Sequence, residues 1–155
     1  MKAQALLDAL RRKGWTFTCA ESCTGGMVAA AVTDIAGSSD VFERGFVTYS
    51  NDAKREMLGV TSKSLEAFGA VSEEVAREMA AGALIAARAD VAVAITGIAG
   101  PGRSEYKPEG RVCFGLATAQ GVATETVEFG ALGRENVRLA ARDHALALVE
   151  RAVQE

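Results

Sequence analysis

The chain has 155 residues, 17 Lys and Arg against 20 Asp and Glu, a formal charge of −3 and an apolar fraction of 49%. Such a length buries roughly two-thirds of its surface on folding and suits one compact domain over residues 1–155, which excludes a disordered or fibrous chain. The acidic balance, without a Lys/Arg block, speaks against nucleic acid or an anionic membrane as partner, and no apolar run approaches the roughly 18 residues of a membrane span.

Residues 2–13 read as a helix with Ala5, Leu6, Ala9 and Leu10 on one face, and its charges follow its apolar residues, the reverse of a secretory signal. Gly14 ends it, and Trp15–Ala20 is a short β-favouring run. Thr24-Gly25-Gly26 leads into a small-residue helix over Met27–Ile35. Phe42–Ser50, rich in Phe, Val, Thr and Tyr, reads as a strand, after which Asn51 caps a helix running to Leu58. Thr61–Phe68 reads as another short helix. Ser72 followed by Glu73 and Glu74 starts a helix that reaches about Arg88, with Val75, Met79, Ala83 and Ala86 on its buried stripe.

Val91–Thr96 is a continuous apolar run, as in a central strand covered on both faces. Gly97–Gly110 is a long loop with four glycines and both prolines. Arg111–Ala119 and Val122–Phe129 form a hairpin about Gln120-Gly121, and Arg134–Val153 is a terminal helix. Strands separated by helices predict an α/β fold: a three-layer α/β/α sandwich on a mixed, mostly parallel sheet of about five strands.

Three segments carry candidate chemistry. In Glu21-Ser22-Cys23-Thr24-Gly25-Gly26, between strand and helix, backbone N–H groups and the helix dipole converge on one spot suited to a phosphate or an oxyanion, with the Ser22 hydroxyl beside them. A plain helix cap accounts for the same pattern. In the second, Asn51 as cap puts Lys54 in a first turn that disfavours a cation, so Lys54 is either solvated or depressed enough to serve as a base for a serine. Tyr49, at the strand end, then orients the pair or relays a proton, or is simply a half-buried aromatic. The third, Thr96-Gly97-Ile98-Ala99-Gly100-Pro101-Gly102, follows the most buried strand, where ligands collect in open α/β sheets. It is neither a P-loop nor a GxGxxG motif, and a structural turn is its plainer reading.

Cys19, Cys23 and Cys113 are too few and wrongly spaced for a disulfide scaffold, and the compartment they suit is the cytoplasm. Cys19 and Cys113 read as core residues. Cys23, at a helix N-terminus, is a rival nucleophile or redox thiol. His144 is the only histidine and shares a face with apolar residues, which makes it a packed side chain and a resident metal unexpected. Arg134 and Arg138, one turn apart, read as surface charges or as an anion site.

These segments, in this order, resemble the C-terminal domain of the CinA family (competence/damage-inducible proteins), which includes stand-alone nicotinamide-nucleotide amidohydrolases. The resemblance lies in AESCTGG (20–26), FERGFVTYSNDAKREMLGV (42–60), GAVSEEVAREMA (69–80), AITGIAGPG (94–102) and KPEGRV (107–112), then Phe129-Gly130, Arg134 and Arg138. It implies hydrolysis of nicotinamide mononucleotide to nicotinate mononucleotide and ammonia, without cofactor or metal. Ser22 becomes the nucleophile, Lys54 the base and Tyr49 a supporting hydroxyl. Cys23, Thr24, Gly25, Gly26, Thr96, Gly97, Ala99 and Gly100 become substrate-binding residues, and Arg134 the contact for the substrate's anionic end. Further copies of the chain are the expected partner, in a homo-oligomer. The rival from another class is a nucleotide-binding or interaction module without turnover. One departure falls on the glycine loop. Where the family usually reads Gly-Pro-x-Gly-Gly and then Lys-Pro-Val-Gly, this chain has Gly-Pro-Gly-Arg-Ser and Lys107-Pro108-Glu109-Gly110.

Overall fold

The computed structural model describes residues 2–104 and 106–155. In chain order it forms α1 (Lys2–Lys13), β1 (Phe17–Glu21), α2 (Met27–Thr33), a 3₁₀ turn at Ser38–Asp40, β2 (Phe46–Val47) and α3 (Asn51–Leu58). There follow α4 (Ser62–Phe68), α5 (Glu73–Ala87), β3 (Val91–Gly97), β4 (Arg111–Thr118), β5 (Gly121–Glu128) and α6 (Arg134–Gln154). Among the described residues no helix is long and apolar enough to cross a membrane.

The strands form one mixed sheet in the order β2-β1-β3-β4-β5. β1 pairs in parallel with β2 and β3, while β4 is antiparallel to both β3 and β5. Among the described residues four strands therefore run one way and β4 runs back. The α/β sandwich follows from the alternation of side chains along β3. Val91, Val93 and Ile95 join a core with Leu6, Leu10, Val28 and Val149, so α1, α2 and α6 cover that face. Ala92 and Ala94 point the other way, into a core with Leu58, Leu65, Val75 and Met79 from α3, α4 and α5. Small residues on this second face let α5 lie close to the sheet. A Cβ built on Gly115 of β4 would stand 2.4 Å from the Ala76 carbonyl oxygen.

Two expectations are corrected. The strand expected over Phe42–Ser50 is only Phe46–Val47. Phe17 bridges Phe42, yet Ala20 pairs with Phe46, so three steps along β1 face four along the incoming chain. The extra residue breaks the ladder, and the Thr18 hydroxyl donates instead to the Arg44 carbonyl at 2.7 Å. The cap of α3 is Ser50, not Asn51: its Oγ accepts the Ala53 amide at 3.0 Å. Ser72 caps α5 as expected, accepting from the Val75 amide.

Candidate active site

β1 and β3 are parallel neighbours, with Glu21 opposite Ile95, so their carboxyl ends open side by side. Ser22 continues β1 by one residue, its amide donating to the Ile95 carbonyl at 3.0 Å. The chain leaving β2 runs alongside, where the Thr48 amide donates to the Glu21 carbonyl at 2.8 Å. Here lies a cleft of about 330 Å³, walled by Ser22, Cys23, Tyr49, Lys54, the loop after β3 and Arg134 at the start of α6. Of the expected residues, Thr96, Gly97, Ala99 and Gly100 also line it. Thr24, Gly25 and Gly26 do not. Thr24 is fully buried, and Gly25 sits against the Arg138 guanidinium.

Ser22 and Lys54 meet at the floor. They are 8% and 1% exposed, and Lys54 Nζ lies 3.1 Å from Ser22 Oγ. The amine also donates to the Thr48 carbonyl at 3.0 Å and the Tyr49 carbonyl at 3.3 Å. Carbonyl oxygens only accept, so they take two N–H groups and leave the third tetrahedral position of nitrogen for Ser22. Burial pushes the Lys54 amine below its ordinary value of 10.5, and neighbouring Cys23 pulls weakly the other way. The neutral amine can then hold its lone pair towards the Ser22 hydroxyl.

The phenol of Tyr49 does not reach this pair. The side chain is 62% exposed, and its hydroxyl accepts from Arg134 Nη2 at 3.0 Å, so Tyr49 meets Lys54 only through its backbone. Arg134 also donates through Nη1 to the Gly100 carbonyl at 2.7 Å, tying the start of α6 to the loop after β3. The Thr96 hydroxyl is turned to the link before α5, donating to the Ala70 carbonyl at 2.8 Å.

The helix N-terminus beside Ser22 is not open as expected. Glu21, fully buried, folds back over it: Oε1 accepts the Thr24 hydroxyl at 2.6 Å and the Val28 amide at 2.9 Å, and Oε2 accepts the Ala29 amide at 3.1 Å. Its carboxylate fills the anion position that the dipole of α2 offers. Arg138 is likewise no free surface charge. Its Nε donates to the Cys23 carbonyl at 3.0 Å and its Nη2 to the Thr24 carbonyl at 3.3 Å. Because a peptide unit is planar, fixing these carbonyls also fixes the amides of Thr24 and Gly25. A signal for Glu21 was present in the sequence, an acidic residue closing a strand just before a helix start; the one-turn spacing of Arg134 and Arg138 marked a surface charge or an anion site, not a brace on the Cys23 and Thr24 carbonyls.

The Cys23 thiol is not activated. Burial pushes it up to about 11, outweighing the helping charge of Arg138, so it stays protonated. His144 packs its ring 4.5 Å from that of Phe114, away from the cleft. Burial raises Cys19 and Cys113 as well, as befits core thiols.

The family model for the CinA C-terminal domain matches residues 1–153. The chain is 61% identical over 135 residues to the nicotinamide-nucleotide amidohydrolase PncC of Enterobacter agglomerans, covering 86% of this chain and 82% of that one. It is 58% identical over 140 residues to the protein of the same name from Escherichia coli K12, covering 90% and 85%. Among solved structures, the competence/damage inducible protein CihA of Agrobacterium tumefaciens superposes with a TM-score of 0.95 at 46% identity, over 99% of this chain and 94% of that one.

Proposed function

Since the chain belongs to the CinA C-terminal domain family, we propose that it is a nicotinamide-nucleotide amidohydrolase using Ser22 as nucleophile and Lys54 as base. The substrate is nicotinamide mononucleotide, and the products are nicotinate mononucleotide and ammonia. The observation that carries the reading is the 3.1 Å approach of a buried amine, held by two carbonyls, to the Ser22 hydroxyl.

Neutral Lys54 takes the Ser22 proton as Oγ bonds to the carboxamide carbon, and the carbonyl electron pair moves onto oxygen. The Ser22 and Gly25 amides are taken by the Ile95 and Ser22 carbonyls, which leaves those of Cys23 and Thr24 as the donors for that oxyanion; such donors are worth about 3–4 kcal/mol of barrier each. When the tetrahedral intermediate collapses, the C–N bond breaks and protonated Lys54 delivers its proton to nitrogen, releasing ammonia. The Tyr49 hydroxyl, accepting from Arg134, stands at the cleft with its own proton free to donate, a supporting group and not a direct partner of Lys54. Water, deprotonated by the same amine, then attacks the nicotinoyl ester; Oγ leaves with a proton from Lys54 and the acid departs.

Ammonia release from nicotinamide mononucleotide tests the reading. Ser22→Ala and Lys54→Ala are each expected to slow kcat by at least about a hundredfold. A loss smaller than tenfold in both variants would refute the assigned pair. Tight binding of the mononucleotide by the parent without turnover would favour a binding module instead.

A further inference from the structure

The departure from the family pattern at residue 109 has a structural consequence at the cleft. Gly110 donates to the Ile98 carbonyl at 2.7 Å and Ile98 to the Arg111 carbonyl at 2.9 Å, drawing the two limbs of the glycine loop together. Glu109, on the returning limb, is thereby set under the arch Gly100-Pro101-Gly102. Its Oε1 accepts the Gly102 amide at 2.7 Å. Its carboxyl carbon lies 2.7 Å from where a Cβ on Gly100 would sit, so the carboxylate packs directly on the arch, and the φ of +90° at Gly100 favours glycine there. The Gly100 carbonyl, on the same arch, is the acceptor that holds Arg134, whose other nitrogen holds Tyr49.

We propose that Glu109 is a positioning residue for Arg134: by capturing the Gly102 amide it fixes the arch whose Gly100 carbonyl aims that guanidinium at the anionic end of the substrate. The proposal rests on the amidohydrolase reading for the identity of the substrate. A valine, as the family pattern has, offers no acceptor, and the arch itself would lose its side-chain tie, keeping only the backbone bonds on either side of it, Ser104 with Lys107 and Gly110 with Ile98. Glutamine keeps an acceptor oxygen at the same reach and loses only the charge.

The test compares the parent with Glu109→Val and Glu109→Gln on nicotinamide mononucleotide and on nicotinamide riboside, which lacks the phosphate. Glu109→Val is expected to raise KM for the mononucleotide about tenfold, the worth of one hydrogen bond to a charged group, with kcat within about twofold. KM for the riboside should move less than about twofold, and Glu109→Gln, which keeps a neutral hydrogen bond, should recover most of the tenfold loss. A general loosening of the fold would shift both substrates together, and that result would overturn the proposal. So would an unchanged KM in Glu109→Val, or a glutamine variant as impaired as the valine one. If the parent releases no ammonia, the amidohydrolase reading fails alone, and the same comparison is made on calorimetric Kd values for the two compounds. Binding of neither by the parent would overturn the role of Glu109 as well.

Discussion

A buried lysine that is pushed towards neutrality must leave its mark on stability as well as on catalysis. Lys54 is 1% exposed, and burial lowers its amine below 10.5, whereas in the unfolded chain it returns to that ordinary value. Between the lowered folded value and 10.5 the unfolded chain binds more protons than the native one, so this residue's contribution to stability rises with pH there. It is fully present above 10.5 and is lost as pH falls to the folded value. The slope reaches at most about 1.4 kcal/mol per pH unit, and the height of the step is about 1.36 kcal/mol for each unit of displacement. Lys54→Met keeps an unbranched apolar stem in the same space and removes the titration. Urea unfolding of parent and variant from pH 7 to about 10, below the Cys23 thiol at about 11, therefore gives two curves whose difference isolates Lys54, because the groups that do not interact with it cancel. The parent should gain stability relative to the variant as pH rises. Parallel curves would mean that the amine is solvated in the folded state, and the neutral-base chemistry would lose its foundation.

Glu21→Ala strips acceptors from the Thr24 hydroxyl and from the Val28 and Ala29 amides at once. It is expected to cost about 3 kcal/mol or more in urea unfolding, and a loss under about 1 kcal/mol would show that water satisfies these groups. Cys23, with its thiol at about 11, should be alkylated by iodoacetamide at pH 8 roughly two hundredfold more slowly than an ordinary thiol of pKa 8.5, from thiolate fraction alone. Mass spectrometry of the modified peptide measures it, and labelling at the ordinary rate would revive the thiol as a rival nucleophile.

The layers of the fold were legible because their causes are local. Apolar periodicity marked α5 and β3, and the Ser72 cap and the turn before Gly121 fixed where elements begin and reverse. The strand after Phe42 was not legible to its full extent, since its interruption depends on a count of residues against β1, a partner distant in sequence. Ser50 and Asn51 are both good caps, and only the fold selects between them. At the site, spacing alone left Ser22 as a cap and Lys54 as a solvated cation. Thirty-two residues separate them, and no periodicity links a strand end to a helix on the far side of a bulge. It was the resemblance to a family that joined them. Arg138 escaped for the converse reason: an arginine one turn from another on a helix has the pattern of a surface charge, and its bonds to Cys23 and Thr24 belong to the packing of α6 on α2.

The closed N-terminus of α2 also changes where the electrostatics of the cleft come from. An exposed positive helix end beside Ser22 would both attract the substrate anion and depress Lys54. With the Glu21 carboxylate bonded to the Val28 and Ala29 amides, that field is largely answered within the protein. What lowers Lys54 is then burial, and Cys23 acts weakly in the opposite direction. A base tuned by burial is only as neutral as its surroundings are dry. The wall formed by Ile98–Gly102 and the link at Ala70 and Val71 bounds the cleft on whose floor Lys54 and Ser22 meet. Lys107 holds that wall shut from outside, donating to the Val71 carbonyl at 2.6 Å and to the Phe68 carbonyl at 2.5 Å. The glycine loop therefore serves the cleft twice: the Gly100 carbonyl on its outgoing limb holds Arg134, and Lys107 on its returning limb holds the link at Val71 that lines the same cleft.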